Sequence, residues 1–178
     1  MTSVSSLASQ NYTIAAQDAI NEQILVEQVA QNTYLSAAAY FGRDDVALPG
    51  LQKYFLEQVE QQGKRVQLLI DYQNMRGGAV TIKQVPEPTN AWASAQHAIE
   101  TSLAIEKDIN SSLLTLTGLA ISNKDMQLKQ HIKGTHLSKR VENIEKIAKA
   151  ITQLQRVGGT GLGLHLWDAE LYEHGLTV

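Results

Sequence analysis

Apolar residues recur every three or four positions from just after Thr13 to about Phe41, with Ile20, Ile24, Tyr34 and Ala38 on one stripe, a period that predicts an amphipathic helix. The stretch GRDDVALPG breaks it. Pro49 suits the first position of a second helix, which carries Leu51, Phe55, Leu69 and Tyr72 on its stripe and runs to about Arg76, before Gly77 and Gly78. The next segment, AVTIKQVPEPTN, holds two prolines and a short β-prone piece. It is too long for a hairpin between antiparallel neighbours and reads as a crossover along a bundle. Asn90 is the expected N-cap of a third helix bearing Ile99, Ile109, Leu113, Leu116 and Ala120. Asp125 caps the fourth, with Leu137, Ile144, Ile147, Ile151 and Leu154 inward. Gly158 and Gly159 stop it, and LGLHLWDAELY forms a short fifth helix. The pattern predicts an all-α four-helix bundle with a long crossover loop and a short fifth helix, and no internal repeat supports a solenoid.

Extending each stripe exposes an anomaly. On the first helix the stripe passes through Glu27; on the second, Phe55, Gln58, Gln62, Arg65 and Leu69 follow at spacings of three and four. The third runs Ile99, Ser102, Glu106, Ile109, Leu113, and the fourth Leu137, Arg140, Ile144. Each helix thus aims a polar group at the interior near its midpoint. Buried charges are costly unless paired, so the four share one site. Glu27 and Glu106 bring two negative charges and Arg65 and Arg140 two positive ones. Such a cluster is neutral by itself, the opposite of a carboxylate-rich di-metal site.

The 178 residues suffice for one domain with its own core, read as residues 13–178 behind a flexible extension of residues 1–12. The absence of cysteine excludes disulfides, thiolate metal sites and Cys nucleophiles, and makes a reducing compartment the natural home. A net charge of −3 gives no basic footprint for nucleic acid, and no segment is apolar enough to span a membrane. The N-terminus lacks the features of a signal peptide, so a cytoplasmic location is expected, although a secreted mature form would read the same.

The segments YFGRDDVALPGLQKYF (40–55), YQNMRGG (72–78), IEKDINSSLL (105–114) and INEQI (20–24) resemble those of ferritins, specifically animal-type cytosolic subunits, and the likeness runs from about Asn11 to Tyr172. The resemblance implies a ferritin-like fold and a hollow 24-subunit cage, with Leu162 and Leu166 of the fifth helix lining a four-fold channel. Heavy-type, iron-oxidising subunits carry E-E-x-x-H on the second helix. Here the corresponding residues are Gln62 and Arg65. The first-helix Glu, its neighbouring Tyr and the third-helix Glu persist as Glu27, Tyr34 and Glu106, while the fourth-helix Glu-Gln pair becomes Lys139 and Arg140. No Asp/Glu-x-x-His occurs anywhere in the chain. Arginine cannot be deprotonated to replace a lost ligand, so a degenerate ferroxidase site closed by salt bridges is expected, as in light-type subunits.

The resemblance also implies a three-fold channel lined by acidic residues, at positions held here by Gln130 and Lys133, with Lys129 one turn earlier; a ring of lysines repels dications. Glu57 and Glu60 match positions where light-type subunits nucleate mineral. The sequence reading is therefore a subunit that is not an enzyme and has no bound metal or tightly bound cofactor. It would build a homomeric cage, or a hetero-oligomer with heavy-type subunits, around ferric mineral. A cage that has left iron storage and serves as scaffold, chaperone or interaction shell is the alternative. The glycines of GGTGLG follow a helix and mark a stop, not a phosphate loop. The five histidines share no ligand spacing, His131 being the best placed for adventitious metal.

Overall fold

The structure is a computed structural model that describes residues 6–176. Helices α1 (Ile14–Phe41), α2 (Pro49–Met75) and α3 (Ala95–Ser122) are 27 or 28 residues long, so each spans about 40 Å at the α-helical rise. α1 starts where Thr13 Oγ1 accepts from Ala16 N at 3.1 Å, and α2 opens on Pro49, whose missing N–H costs nothing at that position. The third start differs from expectation. Ser94, not Asn90, caps α3, accepting from His97 N at 3.0 Å, while Asn90 stays in the crossover and accepts from Ser36.

The fourth helix also differs, because it is divided. Asp125 caps a short α4 (Met126–His131) by accepting from Leu128 N; a π-helical segment, Ile132–Leu137, follows, and α5 (Arg140–Val157) resumes after Ser138 and Lys139. Gly158, at φ 93°, ends α5 in the left-handed region that glycine adopts without penalty. α6 (Gly161–His174) closes the chain.

The crossover between α2 and α3 takes no strand conformation; it is fastened along α1. Asn21 donates to Ala79 O and accepts from Thr81 N, both at 3.0 Å, Glu22 pairs with Lys83, and Ser36 donates to Thr89 O. Since Asn21 and Ser36 lie about 22 Å apart along the helix, the connection runs much of the bundle's length and returns the chain to the end where α2 began. α2 and α3 are therefore parallel, and α1 and α5 run against them. Ile20, Ile24, Phe41, Leu51, Phe55, Leu69, Ile99, Ile109 and Leu113 fill the interior, with the Phe41 and Phe55 rings stacked at 5.8 Å. At the entry to α1, Tyr12 is buried and donates to Gln73; residues 1–5 of the expected extension lie outside the described residues.

α6 is held by an N-cap supplied from the far end of the chain. The buried Asp168 carboxylate accepts from Gly50 N at 2.9 Å and Leu51 N at 2.8 Å, satisfying two of the free N–H groups at the start of α2. Position 50 must be glycine, because a Cβ there would lie 2.1 Å from Asp168 O. Lys53 adds a bond to Tyr172 O at 2.6 Å. Asp168→Ala should cost about 1–2 kcal/mol, read as a lower urea midpoint at unchanged slope; an unaltered midpoint would mean that water replaces the cap without loss.

Candidate functional site

Within the bundle, the stripes of α1, α3 and α5 bring Glu27, Glu106 and Arg140 to one level, all three essentially without solvent exposure. Arg140 Nη1 donates to Glu106 Oε2 at 2.8 Å, and Nη2 donates to both oxygens of Glu27 at 3.1 and 3.3 Å. One guanidinium therefore bridges two carboxylates from two other helices. Arg65 of α2 is the fourth member but sits at the margin, its side chain 16% exposed and its Nη1 3.7 Å from Glu106 Oε1. Gln62 is fully buried between them. With its amide oriented to satisfy both ends, it donates to Glu27 and accepts from Arg65 at 3.1 Å.

The electrostatics are those of desolvated charges held by each other. Burial pushes the Glu27 carboxyl up, against the downward pull of Arg140, Arg65 and the Gln23 amide. Arg65 is pulled below its ordinary range by burial and by the neighbouring Arg140, and Glu106 and Glu27 oppose this. The Tyr34 hydroxyl, buried without a hydrogen-bond partner, is pushed well up by burial and then by Glu106. Among the described residues no group of three or more His, Cys, Asp or Glu side chains could hold a metal ion. The donors that remain face a guanidinium.

Gln23 and Tyr54 were not singled out in the sequence. Gln23, one helical turn before Glu27, donates to it at 3.2 Å, a spacing that could have flagged it. Tyr54 and Ser102 share a hydrogen bond of 2.8 Å. Tyr54 also lines a cavity of about 150 Å³ with Glu57, Gln58, Gln61, Glu106 and Leu176, a polar approach to the buried cluster.

The other candidate residues are spread over the surface. Glu57 and Glu60 are exposed on α2, and Glu60 pairs with Lys64 at 2.6 Å. Lys129 and Lys133 line one shallow depression with Thr117, Leu137 and Ser138, and Gln130 is exposed beside them. Leu162 and Leu166 of α6 are 72% and 56% exposed. Lys139 is exposed at the start of α5.

A further buried polar group has no sequence signal. The π segment places His136 in the interior, 3% exposed, with neither ring nitrogen hydrogen-bonded. Burial, then His131, Arg140 and Arg65, push it down to about 3, so it is a neutral imidazole at physiological pH.

Comparison with known proteins follows from this architecture. The family model described as a ferritin-like domain matches residues 17–157. The soma ferritin of Lymnaea stagnalis is 39% identical over 166 residues, covering 93% of this chain and 95% of that one. The ferritin heavy chain of Echinococcus granulosus is 38% identical over 171 residues, covering 96% and 98%. A ferritin of Pacifastacus leniusculus is 37% identical over 158 residues, covering 88% and 87%. These matches correct the expectation that the chain is not an enzyme. A heavy chain, the subunit type in which the resemblance implies iron oxidation, aligns with 96% of it, and arginines at the bundle centre do not set the chain apart as a non-enzyme.

The geometry ranks the two arginines. Removing Arg140 leaves the buried Glu27 without an ion-pair partner and Glu106 with only the marginal Arg65 at 3.7 Å, and Arg140→Ala should cost about 3–5 kcal/mol; Arg65→Ala, at the margin, should cost clearly less. Thermal melts of the two variants check the order, and equal losses would mean that the charge is shared evenly. His136 sets a pH dependence. Its folded form resists protonation that the unfolded chain accepts below about 6.5, so stability falls as pH drops from there toward 3. In metal-free buffer, His136→Phe should lose about 2 kcal/mol less than the parent between pH 7 and 5.

Proposed function

Because the chain belongs to the ferritin family, we propose that it is a subunit of an iron-storage cage whose bundle centre is closed by the Glu27–Arg140–Glu106–Arg65 network. What carries this reading is the Arg140 guanidinium, which lies between the two carboxylates that the family resemblance gives to metal. Tyr34 and Gln62 complete the remodelled site. On this reading the centre is light-type in its residues, the cage is the family's 24-subunit shell, homomeric or mixed with heavy-type partners, and its location is cytoplasmic. Ferric mineral is cargo in the hollow, with Glu57 and Glu60 as nucleating groups and Leu162 and Leu166 at the four-fold channel. Residues 13–178 form the bundle domain behind an extension of residues 1–12.

One observation favours a second reading. Lys129 and Lys133 share one depression, with Gln130 beside them, where the resemblance implies channel carboxylates. A shell with such channels suits a scaffold or interaction role apart from iron. Iron content and mineral in the cage isolated from its own cells separate the two: an iron-free homomer supports the shell, and a ferric core supports storage.

The closed centre has a direct test. Restoring donors with Gln62→Glu, Arg65→His and Arg140→Gln together should add saturable Zn(II) binding per chain over the parent, measured by isothermal titration on folded cages. Equal stoichiometry in the two proteins would overturn closure by ion pairs.

A further inference from the structure

The interior face of the α4–α5 rod carries a pair of imidazoles that the cage reading does not use. His131 ends α4 and His136 lies five residues on, within the π segment. In an α-helix, positions five apart point about 140° away from each other; in a π-helix, whose bonds close five residues on, they return to one side. The single wide turn is therefore what brings the two rings together, with centroids 5.6 Å apart and planes at 60°.

Three ring nitrogens of the pair are buried without a partner: Nε2 of His131 and both nitrogens of His136. A buried polar group normally finds a hydrogen bond, and an imidazole left without one is an uncommitted donor. The separation suits a shared ion. At a metal–nitrogen distance near 2.0 Å, two imidazoles in linear arrangement have centroids about 6 Å apart and in tetrahedral arrangement about 5 Å. The observed value lies between, so with one nitrogen of each ring turned to a common ion the angle there would be wide.

The surroundings select the charge. No third His, Cys, Asp or Glu among the described residues completes a larger ligand set. Arg140 and Arg65 lie close enough to oppose a positive charge on His136, and a dication would meet twice that repulsion. Neutral nitrogen donors, wide angle, no carboxylate and nearby guanidinium groups together favour an ion of single charge that is content with two ligands. His131 is only half-buried and lies flat on Tyr72 at 4.0 Å, so its ring is held in place at the edge of the interior while the free donor nitrogens stay buried.

We infer that His131 and His136 form a two-imidazole site for a monovalent d10 cation, copper(I) being the biological candidate. The assignment is independent of what the cage stores.

Silver(I) is the redox-silent probe. The whole cage, in chloride-free buffer at pH 7, is titrated calorimetrically against a competing chelator, and X-ray absorption is recorded on the loaded protein. About one Ag(I) per chain is expected, with two nitrogen neighbours. His131→Phe keeps the stacking on Tyr72 and should remove the binding, as should His136→Phe, whereas a His97→Phe, His165→Phe, His174→Phe variant keeps it. Melting curves of the His131→Phe cage establish that the fold survives. Binding that persists in both His131→Phe and His136→Phe, which would place silver on surface thioethers, overturns the site. So does the absence of tight binding in the parent, or displacement of the silver by equimolar Zn(II).

Discussion

The guanidinium of Arg140 is the interaction on which the interior depends. It is the largest of the fully buried side chains, and it carries a charge that the middle of a bundle tolerates only if opposite charges reach it directly. Glu27 comes from α1 and Glu106 from α3, so the two carboxylates fix the spacing of both helices from α5 at one level. Apolar packing alone would leave helices free to slide by a turn. A bidentate pair at 3.1 and 3.3 Å on one side and a 2.8 Å bond on the other does not. Gln62 and Arg65 extend the constraint to α2, so all four helices of the bundle share one electrostatic register mark.

The chemistry that such a centre can support is set by its charge balance. Two glutamates and two arginines sum to zero, so the cluster carries no net charge of its own. A cavity lined by Glu57, Gln58 and Gln61 reaches Glu106 and is bordered by Leu176. Family membership speaks to cage and cargo, whereas the arrangement around Arg140 speaks to this chain's own interior. The two are compatible, since a storage shell needs its walls as much as it needs chemistry within them.

Much of this was legible in the sequence because helix period is a strong signal. Thr13, Pro49 and Asp125 mark helix starts through local chemistry, and Glu27, Gln62, Glu106 and Arg140 fall on stripes flanked at both ends by apolar residues. Asn90 misled for a physical reason. Both Asn90 and Ser94 are good caps, and the choice between them was made by Ser36 and Trp92, which hold the end of the crossover against α1. The π segment escaped because a single wide turn leaves no periodic trace over six residues, and with it went the inward position of His136. Asp168 escaped because its partners at Gly50 and Leu51 are backbone groups, which no side-chain pattern announces.

That long-range cap has a consequence for how the protein is made. The first turn of α2 lacks two of its hydrogen-bond partners until residue 168 arrives, 118 positions later. During synthesis the N-terminal hairpin of α1 and α2 must wait with an unfinished end while the crossover, α3 and α5 are translated. Completion of the bundle is thereby tied to the arrival of α6, and a polypeptide released before it carries its own mark of incompleteness at Gly50.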